Sequence, residues 1–198
     1  MNLEKVLNFA QTIIKSCTSS GDITIDATVG NGLDTLFLAQ LVNHNGHVYG
    51  FDIQDKAISN TYQLLKTYKL NNVSLHKISH DKVKTIIPEV HYGKITSAMF
   101  NLGYLPHGDK RITTNKETTI KAIKEVLSIL KKNGIITIII YPGHKEGKLE
   151  HDALLEYTEK LKQEKMKLFK DNKVVNWHEH VWDDASGKFK AEQCDLFV

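Results

Sequence analysis

The chain has 198 residues, 41% hydrophobic and 25% charged, with a formal net charge of +3. That length can bury a real core, and no apolar run approaches the ~20 residues that a membrane span needs. Mild basicity permits a nucleic-acid or other acidic partner without requiring one, and Arg111 is the only arginine.

From Met1 to Cys17, Leu3, Val6, Leu7, Ala10, Ile13, Ile14 and Cys17 recur at helical intervals. Glu4, Asn8, Gln11 and Lys15 interrupt them, so the segment reads as an amphipathic helix packed on the domain, not a secretory signal. Apolar, β-branched runs then alternate with helical patterns. Strands are expected near Ile23–Thr28, His47–Asp52, Val73–Ile78, Ile95–Asn101 and Gly134–Tyr141. Helices are expected near Asp34–Val42, Lys56–Tyr68, Asp81–Ile86, Lys116–Leu130 and Glu150–Lys165, with Lys-Lys-Asn133-Gly134 closing the fourth. The end of the chain reads as a strand at Val174–Trp177, a turn at Asp183–Gly187 and a last strand at Gln193–Val198. This alternation implies an α/β three-layer sandwich with a mostly parallel sheet and an antiparallel C-terminal hairpin. With no repeat, low-complexity tract or linker, residues 1–198 read as one domain. Cys17 and Cys194 show neither a disulfide framework nor metal spacing, which fits a reducing cytoplasm.

Ligands of open parallel sheets bind beyond the carboxyl ends of the strands, so each tip is a candidate. The first tip is Asp26-Ala-Thr28-Val-Gly30-Asn31-Gly32-Leu-Asp34-Thr35, followed 20 residues past Gly32 by Asp52. Glycines admit a ligand close to the backbone, and an acid at the second tip accepts ribose hydroxyls. Asp52 also fits a helix cap, a role open to Asp55 instead. Thr35 falls near where the third glycine of a dinucleotide fingerprint would stand. Asp26 would repel a pyrophosphate but suits an ammonium or sulfonium, which favours S-adenosylmethionine (SAM) over NAD. Ile53 and Gln54 follow Asp52 on the same side. At the third tip, Ser79-His80-Asp81 reads equally as a helix cap or as an adenine contact, with His80 against the adenine or on the surface.

The fourth tip, Asn101-Leu102-Gly103-Tyr104-Leu105-Pro106-His107-Gly108-Asp109-Lys110, suits methylation of an amino group. An amide oxygen and a nearby carbonyl accept the N–H bonds and aim the nitrogen lone pair, while an aromatic ring walls in the target. His107, Asp109 and Lys110 are candidate proton acceptors or phosphate contacts, and Arg111 fits either a phosphate fork or plain solvation. At the fifth tip, Tyr141-Pro142-Gly143-His144 places a second histidine to position or deprotonate a substrate. Trp177, His178, His180 and Trp182 cluster near the end, but no acid or cysteine completes a metal set, so no metal is expected.

Taken together, Asp26–Thr35, Asn101-Leu-Gly-Tyr-Leu-Pro with Gly108-Asp-Lys, Ile112-Thr-Thr and Tyr141-Pro-Gly-His resemble the MnmM (YtqB-type) methyltransferases. The resemblance runs to about Asn176 and fades in Trp-His-Glu-His-Val-Trp-Asp-Asp, where the family has a proline-containing turn and an apolar strand. It implies a class I, Rossmann-like SAM-dependent fold, often dimeric. The implied activity is methylation of the wobble uridine of certain tRNAs, turning 5-aminomethyl-2-thiouridine into 5-methylaminomethyl-2-thiouridine. Asp109, His107 and His144 are the candidate bases for the amine. Three rivals stay open: methylation of ribosomal RNA or a small amine, a nicotinamide-dependent oxidoreductase, and a SAM-binding regulator without catalysis.

Overall fold

The computed structural model describes residues 6–105, 111–167, 177–183 and 188–197. Seven strands run β1 Ile23–Asp26, β2 His47–Asp52, β3 Val73–Lys77, β4 Ile95–Asn101, β5 Leu130–Ile140, β6 Trp177–Asp183 and β7 Lys188–Phe197. The helices are α1 Val6–Cys17, α2 Leu33–Val42, α3 Asp55–Thr67, α4 Val83–Ile86, α5 Lys116–Ile129 and α6 Lys145–Lys167, with a short 3₁₀ turn at His80–Lys82.

The sheet order is β3-β2-β1-β4-β5-β7-β6. The first five strands are mutually parallel, while β5 pairs antiparallel with β7 and β7 antiparallel with β6. After β3 the chain crosses back to lay β4 beside β1, so strand order reverses there and a crevice opens above the two tips.

Alternation along the central strands builds two cores, one on each face. Met99 and Ile139 pack with Ala10 and Ile14 of α1 and with Leu38 and Val42 of α2. Ala98, Phe100, Ile138 and Ile140 point the other way, against Ala122, Ile123 and Val126 of α5 and Leu154 of α6. Helices therefore cover both faces, and the carboxyl tips of the five parallel strands are presented to the same edge.

Some boundaries differ from expectation. Helix α5 does not run to the Asn133-Gly134 pair; it ends at Ile129, and Leu130 already pairs with Ile95. The register then jumps to Ser97↔Ile135, with Asn133 at φ 62 inside the irregularity. Gly134 is required for space there, since a Cβ would sit 2.6 Å from Leu130 Cγ. Helix α6 begins five residues earlier than the expected Glu150, at Lys145. At the end of the chain, β7 begins at Lys188 instead of Gln193, and the expected strand residues 174–176 lie outside the described residues.

Candidate functional site

The crevice is a cavity of about 1620 Å³ lined from all five parallel-strand tips. Single small-molecule sites run ~300–1,000 Å³, so the volume suits two ligands side by side. In chain order the lining comprises residues up to His80, called the first lobe below, and residues from Asn101 onward, called the second.

The first lobe is built around Asp52. Its Oδ2 accepts from the Gly30 backbone N–H at 2.9 Å and its Oδ1 from the Gln54 N–H at 2.8 Å. The carboxylate thus ties the β1 and β2 turns together and still has lone pairs for a ligand in the cavity. The alternative helix-cap residue, Asp55, is engaged elsewhere, in an exposed ion pair with Lys77 at 2.7 Å. Thr28, Asn31, Ile53 and Gln54 line this lobe, with Ile53 52% exposed.

Four residues expected to touch a ligand here are placed behind the wall instead. Asp26 is 1% exposed and does not line the cavity; it accepts from the Thr35 hydroxyl at 2.5 Å and from the Thr28 N–H at 3.1 Å. Burial, with the charge of Asp34 beside it, pushes its carboxyl up to about 7. Thr35 is fully buried as its partner. Gly32, at φ 82, serves a helix crossing: a Cβ would meet Thr61 Oγ1 of α3 at 2.6 Å. Asp81 is held by Lys121 at 3.0 Å and Lys82 at 3.1 Å. Burial opposes its ionisation, but hydrogen bonds from Lys121, Ser79 and Lys82 outweigh it and hold the carboxyl down at about 2. It anchors the 3₁₀ turn to α5 and leaves Ser79 and His80 to line the cavity. The His80 Nδ1–H donates to the Ala27 carbonyl at 3.1 Å, and burial lowers the ring's pKa, so it is neutral.

The acid that does face the cavity is Asp34. It accepts from Gln11 Nε2 at 3.2 Å and from Asn101 Nδ2 at 3.4 Å, and burial raises its pKa. Asn101 stands on the seam between the lobes, because its backbone N–H donates to Thr28 Oγ1 at 2.7 Å. Beyond it, Leu102 N–H donates to the Ile139 carbonyl at 2.9 Å, and Gly103 adopts φ 123. The Tyr104 ring lies 5.6 Å from that of His144, and both line the second lobe with Leu102, Gly103, Tyr141 and Gly143. Pro106, His107, Asp109 and Lys110 lie outside the described residues. Arg111 is exposed and does not line the cavity.

His144 differs from the expected base. Its Nδ1 accepts from the Gly147 N–H at 3.0 Å, which puts the proton of the neutral ring on Nε2. Nε2 is buried and has no hydrogen-bond partner among the described residues. In this arrangement the lone-pair nitrogen is already used by the Gly147 N–H.

Residues 48–181, more than half of the chain, match the model of the family described as "Putative rRNA methylase". The chain belongs to that family. A relative from Arabidopsis thaliana, "tRNA (mnm(5)s(2)U34)-methyltransferase, chloroplastic", is 38% identical over 160 residues, covering 76% of this chain. The chain spans 58% of that relative's length. The crystal structure of a "putative rRNA-methylase" from Clostridium thermocellum superposes with TM-score 0.81 at 36% identity, covering 100% of this chain and 97% of that one. A "putative methyltransferase" from Streptococcus mutans in complex with SAH follows at TM-score 0.77 and 27% identity, with 98% and 97% coverage. The fold itself is the Rossmann-like one of SAM-dependent methyltransferases, shared down to 12% identity with an O-methyltransferase from Thermotoga maritima (TM-score 0.61, 100% of this chain and 65% of that chain).

In this rRNA-methylase family member, several cavity residues had no sequence expectation attached. Glu146, Lys148, His151 and Asp152 project from α6, and Thr113, Thr114 and Thr118 from the approach to α5. The α6 set follows His144 at helical intervals, a stripe that becomes readable once the helix is started at Lys145. Glu150, 1% exposed behind the wall, had no such signal. The described residues contain no group of three or more His, Cys, Asp or Glu able to hold a metal, and no described helix is long and apolar enough to cross a membrane.

Proposed function

We propose that the chain is a SAM-dependent N-methyltransferase of the tRNA wobble uridine, converting 5-aminomethyl-2-thiouridine to 5-methylaminomethyl-2-thiouridine. Family membership, the Arabidopsis relative and the SAH-bound Streptococcus structure support it. The observation that carries it is Asn101 at the seam: its backbone is pinned to Thr28 in the first lobe, and its side chain opens the second.

In this reading the first lobe holds SAM. Asp52 accepts from the ribose hydroxyls, Ile53 and His80 border the adenine, and Asp34 is the acid available to the cationic end. Bound SAM supplies an electrophilic methyl on its sulfonium. The acceptor amine enters the second lobe between Tyr104 and His144. Asn101 donates through Nδ2 to Asp34, which leaves Oδ1 to accept an amine N–H and turn the nitrogen lone pair to the seam. The amine must be neutral to attack, and desolvation on entering the pocket disfavours its charged form. His144, its ring 5.6 Å from that of Tyr104, walls the acceptor on one side. Asp109 is the carboxylate of the fourth tip assigned to receive the proton. Thr35 fills with a buried side chain the position where a dinucleotide site uses glycine, which disfavours the oxidoreductase alternative.

The family resemblance supports extending the reading to a homodimer acting in the cytoplasm, with lysines and Arg111 near the mouth meeting phosphates. Two measurements test it. Calorimetry should detect SAM binding and none for NAD. Purified protein with SAM should convert the aminomethyl nucleoside in tRNA lacking the modification, and a deletion strain should accumulate it. Unchanged wobble nucleosides, or methyl label appearing only in ribosomal RNA, would overturn the tRNA assignment.

A further inference from the structure

Glu150 is a carboxylate on α6, 1% exposed, and does not line the cavity. Both its oxygens are engaged by hydroxyls: Thr114 Oγ1 donates to Oε2 at 2.6 Å and Thr119 Oγ1 to Oε1 at 2.6 Å. Burial raises its pKa, and the two hydroxyls offset part of that. Burying such a group is costly unless it is fully hydrogen-bonded, so its partners indicate what it accomplishes.

Those partners lead to the two lobes. Having donated to Glu150, Thr114 Oγ1 accepts from the Gly103 N–H at 2.9 Å, and the Thr114 N–H donates to the Gly103 carbonyl at 3.1 Å. Both backbone groups of Gly103 are thereby held at φ 123, two residues after Asn101. On the other side, Thr119 Oγ1 packs 3.5 Å from His80 Nε2, a contact and not a hydrogen bond, because the Thr119 proton goes to Glu150 and the His80 proton sits on Nδ1, bonded to the Ala27 carbonyl. Helix α6, the start of α5, the loop after β4 and the 3₁₀ turn after β3 meet at one carboxyl group.

We propose that Glu150 is a positioning residue for the transfer step. Acting through Thr114, it fixes the Gly103 peptide and so the orientation of Asn101 toward the acceptor; through Thr119 it also braces the start of α5, which packs against His80. It touches neither ligand. The proposal rests on the methyltransferase reading above for its kinetic consequence, but not for its structural one.

The test uses Glu150→Ala, Glu150→Gln and Thr114→Val. A glutamine keeps both contacts, its oxygen accepting from Thr114 and its N–H donating to Thr119 Oγ1, so the conservative variant should recover most of what alanine loses. Glu150→Ala should lower kcat on tRNA by roughly ten- to a hundredfold, the cost of a misplaced reacting group, with SAM affinity within about threefold of the unaltered protein. Thr114→Val should lower kcat as well, and the double variant should be no worse than Glu150→Ala alone, because the two act in one chain. Hydrogen exchange read at the Gly103 amide should accelerate in Glu150→Ala and Thr114→Val but not in Glu150→Gln.

Equal damage from alanine and glutamine would overturn the proposal, since the charge itself would then be needed. So would parallel losses of SAM affinity and kcat, or unchanged exchange at Gly103. If the unaltered protein methylates no tRNA, the function assignment fails by itself. Exchange at Gly103 then still decides the role of Glu150, and it does so with the folded Glu150→Gln and Thr114→Val proteins if the alanine variant does not fold.

Discussion

Replacing Asp26 by asparagine isolates the energetic cost of the acid buried beneath the cofactor lobe. Its carboxyl titrates at about 7 in place of 3.8, chiefly because burial penalises the charge and secondarily because Asp34 is close. The folded state therefore holds this proton to higher pH than the unfolded chain does. Its stabilising contribution is complete below about pH 4 and is lost as pH rises to about 7. Each pH unit in that window costs about 1.4 kcal/mol, so between pH 5 and pH 8 the unaltered protein should lose about 3 kcal/mol through this group. For a domain of this size that corresponds to about 6–12 °C in Tm. Asparagine keeps the shape and both contacts: Oδ1 accepts from the Thr28 N–H, and Nδ2 donates to Thr35 Oγ1. Urea denaturation of both proteins at pH 5, 6, 7 and 8 should show the variant gaining on its parent by about 3 kcal/mol across the series. Stability curves that stay parallel would refute the titration of Asp26 in this window. A loss of SAM affinity of about tenfold or more in the variant would refute its placement behind the wall.

Asp52→Ala removes the acceptor of two backbone N–H bonds as well as the proposed ribose contacts, and SAM affinity by calorimetry should weaken by about 10- to 100-fold. Asn101→Ala should lower kcat by about a hundredfold in single-turnover methylation while SAM affinity stays within about threefold; a loss confined to KM would contradict the aiming role. Gly32→Ala combines φ 82 with a contact to Thr61 Oγ1 at 2.6 Å and should cost about 1–3 kcal/mol in chemical denaturation, whereas an unchanged midpoint would mean that α3 yields.

Much of the architecture is legible because its causes are local. Strands β2 and β4 run over His47–Asp52 and Ile95–Asn101, the limits their apolar runs and flanking polar residues imply. The place of Asp52 at the tip of β2, lining the crevice, was legible for the same reason, since its distance from Gly32 along the chain reflects one βαβ turn. Asp26 was misread because an acid at a strand end looks the same in sequence whether it faces the crevice or the helix behind it. The deciding contact, the buried Thr35 hydroxyl, depends on how the first turn of α2 seats on β1. Helix α6 starts ahead of the expected Glu150, with Gly147 in its first turn donating its N–H to His144 Nδ1. Glu150 was invisible because its partners lie 36 and 31 residues away, and no periodicity encodes a meeting of that kind.

The cavity's lining divides cleanly between His80 and Asn101, and the reversal of strand order lies between those two positions. On the proposed assignment, donor and acceptor recognition are written in separate, consecutive stretches of one polypeptide, joined in space by the hydrogen bonds of Asn101 to Thr28 and Asp34. A lineage can rewrite the second stretch and inherit the first unchanged. Substrate range can then diverge among relatives with no renegotiation of how the methyl donor is held, provided the residue at the join is kept.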